Sequence, residues 1–377
     1  MAKKLLFYTS VNTSKVTGAN LYVSRIIKKL DENNHFDIDL FALDFAKEEG
    51  RIDEFKNFKN VKIRYYKFKP FYIFSYIKII IDSLRKFRDV EYVAFRTIFF
   101  HPLMFLVKII NPKCKIVWFH DGIIEEISFL KNNIFSKIIV FVFSLIEKFF
   151  SRYVDYYLPV SHKMKEYSQK KRYTIKNSIV LPCIVDTKLF HRIGIENAGK
   201  EIVIGYAGSL TKWQGFENGC KYIKFLERNN FKIFFNVLTF DIRKANEFLD
   251  KYSINGSVKL IKNDDVPKEM RKWWFAIIPK VENLITEVAS PLKVAEAMAM
   301  GIPLIISKNI GDYSEIVNKN RWGIVVDFSN VETWNETLSI LEFLLNNYEK
   351  ISNEIREYAK LNLSLEYLNF VIYNIFK

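Results

Sequence analysis

The sequence predicts an α/β protein built from two doubly wound domains that face a cleft. Three observations predict it. Short apolar runs alternate with helical apolar patterns along most of the 377 residues. The alternation lapses once, around residues 186–200, and a chain of this length suits two domains. The two halves also differ in charge: residues 1–200 hold 35 Lys+Arg against 20 Asp+Glu, whereas the remainder holds 22 of each. These features place a first domain at 1–190, a second at 191–360, and a final helix at 361–377 that packs back on the first domain.

In order, Lys3–Tyr8 reads as a strand, followed by a polar loop ending at Gly18-Ala19-Asn20. Leu21, Val23, Ile26, Ile27 and Leu30 give a helical stripe. Phe36–Leu43 and Val61–Tyr66 read as strands, and Phe71–Phe87 as a helix. Tyr92–Phe95, His101–Ile110 and Lys115–Phe119 read as strand, helix, strand. Ile134–Phe150 is a strongly apolar helix, and Tyr156–Val160 and Ser178–Leu181 are short strands. Gly194, Asn197, Ala198 and Gly199 supply the linker. The pattern restarts with strand Ile202–Tyr206, helix Phe216–Leu226, strand Lys232–Leu238 and helix Ile242–Tyr252. Strand Val258–Ile261, helix Val266–Trp273 and strand Trp274–Pro279 lead through Lys280–Ala289 into a further helix. Leu304–Ser307, Asp312–Val317 and Gly323–Val326 continue the alternation, and Thr333–Lys377 is helical.

With 49% hydrophobic and 26% charged residues, the chain has enough apolar material for two cores. Cys114, Cys183 and Cys220 are odd in number and scattered, which excludes a disulfide framework and fits a reducing compartment. The five histidines show no metal-ligand spacing, so no metal site and no cofactor is expected. The short apolar start at Lys3-Lys4-Leu5-Leu6-Phe7 reads as a strand rather than a leader. Neither long apolar helix reaches about twenty uninterrupted residues, so neither is expected to span a bilayer.

Four stretches are candidates for chemistry. The first is Ser290-Pro291-Leu292-Lys293-Val294-Ala295-Glu296, expected to open a helix with Ser290 as N-cap and Pro291 as its first residue. Amides at such a start bind phosphate. Lys293 adds a cation, and Glu296, three residues on, shares its face and suits two neighbouring hydroxyls. Gly301 and Pro303 stop the helix. The second stretch is the glycine loop Gly208-Ser209-Leu210-Thr211-Lys212-Trp213-Gln214-Gly215, between a strand and a helix. Its glycines let backbone approach a ligand, and Lys212 and Gln214 are placed to hold phosphate oxygens. It is not a Walker A loop, since the Gly-Lys-Ser/Thr ending is absent. The third is His120-Asp121-Gly122 at the end of a strand, suited to bonding a sugar hydroxyl or moving a proton. The fourth is Thr17-Gly18-Ala19-Asn20, a small-residue loop open to an acceptor or to donor phosphates. Each stretch also has a plain reading as a turn, a helix start or a capping residue.

Glu296-Ala297-Met298-Ala299-Met300-Gly301-Ile302-Pro303 resembles the Glu-Ala-Met-Ala-x-Gly-x-Pro run of GT-B glycosyltransferases, in particular the large retaining group often called family 4. Gly311, Glu315-Ile316-Val317 and Gly323-Ile324-Val325-Val326 resemble that family's continuation, and Gly208–Gly215 its donor loop. Val160-Ser161 and Leu181-Pro182-Cys183-Ile184-Val185-Asp186 with Phe190 resemble its domain-junction segments. Val288 stands where the family's first motif glutamate is expected, with Glu287 one position off, and Ser209 and Gln214 stand where Arg and Lys are common. The resemblance implies a GT-B fold and transfer from a UDP- or GDP-linked sugar with retention at the anomeric carbon. Glu296 would hold the ribose, Lys293 and the amides of Ser290, Pro291 and Leu292 the diphosphate, and His120 the transferred sugar. Gly208, Ser209, Lys212 and Gln214 would close over the donor. No metal is implied, because a helix dipole and a lysine stabilise the departing phosphate.

The resemblance further implies a glycan or polyprenyl-diphosphate-linked acceptor in bacterial surface polysaccharide synthesis. The basic first half then suits an anionic membrane surface, and the enzyme would sit in the cytoplasm on the inner face of the membrane. An inverting GT-B transferase or a nucleotide-sugar epimerase are the neighbouring alternatives. Nucleic acid is a remote one, since no motif for it accompanies the basic half.

Overall fold

The computed structural model describes residues 2–13, 17–33, 35–46, 58–67, 72–131, 133–192 and 201–376. The expected linker residues Gly194, Asn197, Ala198 and Gly199 lie outside the described residues, as does Phe71. The chain divides into two compact units, Met1–Pro182 with Leu368–Lys377, and Cys183–Tyr367.

The first unit contains strands β1 (Lys3–Val11), β2 (Phe36–Asp44), β3 (Val61–Lys67), β4 (Tyr92–Phe95), β5 (Lys115–His120), β6 (Tyr156–Pro159) and β7 (Asn177–Ser178). Its helices are α1 (Gly18–Glu32), α2 (Tyr72–Leu84), α3 (His101–Ile110), α4 (Glu126–Lys131), α5 (Ile134–Phe150) and α6 (His162–Lys170). The strands form one parallel sheet in the order β3-β2-β1-β4-β5-β6-β7. β1 and β4 are apolar on both faces because helices cover both. Leu6, Tyr8, Phe41, Phe95 and Trp118 pack on one face with Ile79 of α2, Leu103 and Met104 of α3, and Phe150 of α5. Side chains alternate along a strand, so Leu5 and Phe7 face the other layer, where α1 buries Val23, Ile26, Ile27 and Leu30. Phe376 closes that layer edge-on against Phe36 and Tyr92, at 5.3 and 4.9 Å.

The second unit contains β8 (Ile202–Ala207), β9 (Ile233–Leu238), β10 (Gly256–Lys259), β11 (Phe275–Ile278), β12 (Leu304–Ser307) and β13 (Gly323–Val326). Its helices are α7 (Phe216–Arg228), α8 (Ile242–Tyr252), α9 (Val266–Met270), α10 (Leu284–Val288), α11 (Leu292–Ala299), α12 (Tyr313–Asn320), α13 (Glu336–Asn346) and α14 (Tyr348–Asn362). α15 (Leu365–Ile375) follows and carries the chain into the first unit's terminal segment. The strands form a parallel sheet in the order β10-β9-β8-β11-β12-β13. Each unit is thus a Rossmann-like, doubly wound sheet whose strand order reverses once, between β1 and β4 and between β8 and β11. Loops that leave neighbouring strands in opposite directions open a crevice at such a point, which is where ligands bind in these sheets.

Five expectations are corrected. Gly18-Ala19-Asn20 is not loop but the first turn of α1, because the Thr17 hydroxyl accepts from the Asn20 amide at 3.1 Å and caps the helix. The strand expected at Ser178–Leu181 is only Asn177–Ser178, and that expected at Val258–Ile261 falls at Gly256–Lys259. The connection Lys280–Ala289 holds a short helix, α10, started by Asn283, whose side chain accepts from the Thr286 amide. Ser290 is not an N-cap: Pro291 takes that place with extended backbone (φ −68, ψ 127), and helix α11 begins at Leu292.

Candidate active site

In the second unit the site begins where β8 ends. Gly208 has φ +137, a conformation costly for other residues, and a side chain there would meet the Lys293 ammonium at 3.1 Å. Its amide donates to Leu238 O at 2.9 Å. The Tyr206 hydroxyl donates to Ser209 O at 2.6 Å, and the Leu210 amide to the Asp241 carboxylate at 3.0 Å, so the loop is anchored from both sides. A single 3-10 turn, Lys212–Gln214, then leads to Gly215. Gly215 is left-handed (φ +62), and a Cβ there would lie 1.8 Å from Pro279 O. That contact, with the Val281 amide donating to Trp213 O at 2.9 Å, ties the loop after β8 to the chain leaving β11.

Lys293, in the first turn of α11, points into this corner. Its ammonium donates to Gln214 Oε1 at 2.8 Å and sits 4.6 Å from the centroid of the Tyr206 ring. Burial pushes the amine down to about 7, helped by the positive charge of Lys280 and opposed by Glu296. Lys280 is itself buried, just beyond β11. α11 has no capping side chain at its start. First-turn amides of a helix have no intrahelical partner by geometry. Pro291 has no N–H, so of the expected donors Ser290, Pro291 and Leu292 it supplies none, and the first amides of the helix itself are those of Leu292 and Lys293. The Ser290 hydroxyl instead accepts from the Cys183 amide at 2.9 Å and pairs with the Tyr313 hydroxyl at 3.1 Å. An uncapped helix start beside a desolvated lysine has the chemistry to receive an anion: bound negative charge would favour the protonated amine and supply the cap.

In the first unit, His120 ends β5 and is buried. Its Nδ1 faces the Tyr157 hydroxyl at 2.6 Å, which faces the Ser168 hydroxyl at 2.5 Å, and its ring stacks on Trp118 at 4.5 Å. Nε2 is buried, and the Gly122 backbone is close enough to act on the ring. Burial pushes the imidazole down to about 3, so it is neutral at physiological pH. Next to it, Asp121 accepts from Arg96 Nε and Nη2 at 2.8 and 2.6 Å. Arg96 Nη1 donates to the Thr9 hydroxyl and to Ser10 O, both at 3.2 Å, locking the ends of β1, β4 and β5 together. Gly18 and Ala19 are exposed at the start of α1, whereas Asn20 is buried and its amide donates to Asn12 O at 2.9 Å.

Residues 188–362 match the family described as glycosyl transferases group 1. The matched stretch lies within the second unit. The whole chain also resembles solved structures. Sucrose-phosphate synthase from Thermosynechococcus elongatus aligns with a TM-score of 0.75 at 12% identity, over 99% of this chain and 98% of that one. Anabaena Alr3699/HepE in complex with UDP-glucose aligns with 0.71 at 13%, over 98% of each chain. The lipopolysaccharide outer core galactosyltransferase WaaB aligns with 0.67 at 13%, again over 98% of each. No curated protein matches the sequence. The chain is therefore a glycosyltransferase with the GT-B fold.

Of the residues singled out in the transferase sequence, the fold brings Gly208, Gln214 and Lys293 together. Ser209 faces the Thr211 hydroxyl at 3.3 Å on the loop's outside, and Lys212 is exposed. Glu296 is half-buried one turn after Lys293. Val288 is buried and Glu287 is exposed, so the two differ in setting as well as in charge. His120, Gly18, Ala19 and Asn20 belong to the first unit. Sequence reading missed Tyr206, Lys280 and Arg96. All three stand at or just past the carboxyl end of a strand beside the point where strand order reverses, a place visible only once that order is known. Among the described residues no cluster of three or more His, Cys, Asp or Glu is arranged for a metal ion.

Proposed function

We propose that this glycosyltransferase moves a sugar, with retention, from a UDP- or GDP-linked donor to a glycan or polyprenyl-diphosphate-linked acceptor in bacterial surface polysaccharide synthesis. The observation that carries the reading is the meeting of Lys293 with Gln214 beneath Gly208, at the uncapped start of α11. There the Leu292 and Lys293 amides and the Lys293 ammonium take the two phosphates. Negative charge grows on the leaving diphosphate as the sugar–phosphate bond breaks, and these donors hold it without a metal. Lys212 and Ser209 close over the donor from the glycine loop, and Glu296 takes the ribose hydroxyls. His120 is the group we assign to the transferred sugar, as a neutral hydrogen-bonding side chain. A fold shared with a protein solved with UDP-glucose supports the donor class, and one shared with a lipopolysaccharide galactosyltransferase supports a surface-glycan acceptor. The excess of 15 positive charges in residues 1–200 supports a cytoplasmic enzyme that works against anionic lipid.

Thermal shift with UDP-, GDP-, ADP- and CMP-sugars tests the donor, because a ligand that binds only the folded state raises Tm. A shift with a UDP- or GDP-sugar is expected. Glu296→Ala should weaken that ligand roughly ten- to hundredfold, the scale of a hydrogen bond to a charged group, with Tm of the free protein little changed. Unchanged affinity removes Glu296 from the site. NMR of the product's anomeric centre decides retention, and inversion overturns it.

A further inference from the structure

We propose that α5, with the outer faces of α2 and α3, is a surface that lies in the interface of an anionic bilayer. The inference rests on the membrane association proposed above and gives it a location. α5 packs Phe150 on the core and yet presents a second apolar face to the outside. Ile134, Phe135, Ile138, Phe141, Leu145 and Phe149 follow one another at helical spacing and face outward, with Ile134, Phe135 and Phe141 at 75%, 67% and 65% exposure. The helix's one carboxylate, Glu147, is turned inward and accepts from the Tyr173 hydroxyl at 2.6 Å. A helix that hides its acid and shows these phenylalanines is not solvated by that face; it is covered by something.

The face extends beyond α5. Tyr153 touches Phe105 of α3 at 5.8 Å and Phe149 of α5 at 6.2 Å, so these exposed rings form one surface. α2, on the same side of the sheet, exposes Phe74 and Ile81. The charges choose the occupant. Besides Glu147, the only acid on these three helices is Asp82, which accepts from the Tyr66 hydroxyl at 2.6 Å. The charges exposed on them are Lys78, Lys137 and Lys148, with Arg152 just beyond α5 laid over the Phe149 ring at 4.2 Å. Cations ringing an apolar face, with alkyl stems along it, match the layering of acyl chains beneath anionic headgroups. A second copy docked by two-fold symmetry would set the same cations against each other. Among the described residues no helix is long and apolar enough to cross a membrane, so α5, about 25 Å long, lies in the interface plane.

Vesicle flotation tests the surface. The intact chain should float with vesicles of phosphatidylcholine and phosphatidylglycerol, more weakly with phosphatidylcholine alone, and salt should reduce the binding without abolishing it. Phe135→Gln with Phe141→Gln should weaken binding by about tenfold for each ring lost from the apolar phase. Lys137→Gln with Lys148→Gln should erase the preference for phosphatidylglycerol. Leu260→Gln, at a residue 65% exposed in the second unit, should change nothing. Tm and the thermal shift with donor confirm that each variant is folded. Absence of flotation at low salt, or flotation of the double phenylalanine variant at wild-type strength, overturns the proposal. So does a dimer that this variant converts to monomer with vesicle binding intact. Sugar transfer to a water-soluble acceptor without vesicle binding sinks the docking surface alone, and vesicle binding without nucleotide-sugar binding sinks the donor reading alone.

Discussion

Helices α5 and α11 are both rich in apolar residues and use them in opposite ways. α11 buries Leu292, Val294, Ala295, Ala297, Met298 and Ala299, and keeps Lys293 and Glu296 half-buried, one turn apart. α5 buries Ser136 and Glu147 and turns Phe135, Phe141 and Phe149 out, while Phe150 packs on the core. Their starts differ too. α5 opens with a complete capping box between Asn133 and Ser136, whereas α11 opens with no side-chain cap. A capped helix with a bare apolar flank is finished at its end and unfinished along its side. An uncapped helix with a packed flank is the reverse. What each lacks is what the two proposals supply: a surface for α5, an anion for α11.

Lys293→Met is expected to break that contrast most severely. Loss of the cation facing the leaving phosphate should lower turnover on the order of 10²–10³-fold. The same change should not lower the stability of the free protein at pH 7. With the folded-state pKa at about 7, below the ordinary ~10.4 of lysine, the native state binds fewer protons than the unfolded one between those values. The resulting penalty is full below about pH 7 and is relieved as pH rises toward 10.4. Methionine keeps the stem's packing without the penalty. Tm of Lys293→Met should therefore equal or exceed wild type at pH 7, and the wild type should gain on it toward pH 9. A variant several degrees less stable at pH 7 would show that the charge supports the fold rather than awaiting a ligand.

Glu147 sharpens the comparison from the other helix. Burial raises its carboxyl to about 7; Tyr173 and the Lys171 charge act against the rise, and Glu125 adds to it. A raised carboxyl pKa contributes stability that is present below the unfolded value of about 4.3 and is lost as pH climbs through about 7. At most about 4 kcal/mol is involved. Glu147→Gln keeps an acceptor for Tyr173 and removes the titration. Denaturation midpoints between pH 5 and 8 should fall more steeply for wild type than for the variant; parallel curves would mean that Glu147 is solvated rather than held beneath an apolar helix.

Much of this was legible in the sequence because burial on both sides writes itself as continuous apolar runs. Tyr92–Phe95, Leu304–Ser307 and Gly323–Val326 are strands at their expected bounds, and so are helices His101–Ile110, Ile134–Phe150 and Ile242–Tyr252. Short elements set by one polar contact were not legible. α10 depends on a single Asn283 side-chain bond, and the fate of Ser290 on two partners, Cys183 and Tyr313, 107 and 23 residues away. Motif residues fared likewise. Lys293 and Gln214 stand 79 residues apart and meet only because their loops leave strands beside the reversal of sheet order. The outward face of α5 has no sequence signature of its own, since its apolar spacing is the same whichever side meets the core.

The smallest expected effect concerns His120 and asks whether the first unit positions chemistry as well as a surface. The Tyr157 hydroxyl lies between His120 Nδ1 and the Ser168 hydroxyl, so its phenol supplies the ring's one short hydrogen bond to a side chain. Tyr157→Phe removes that bond. Ser168, already 3.5 Å from Nδ1, is near enough to replace the lost partner in part. The stability cost should then sit near the low end of the 1–3 kcal/mol of an unpaired buried group, about 1 kcal/mol. Turnover should fall less than about tenfold, with KM for donor unchanged, because the ring keeps its stack on Trp118 and loses only one hydrogen bond. Since burial holds the imidazole neutral down to about pH 3, the variant's rate should show no new inflection between pH 5 and 8. An inflection near pH 6.5 in either protein would show that His120 titrates in solvent. It would then act as an acid or base, in place of the neutral hydrogen-bonding role its surroundings assign to it.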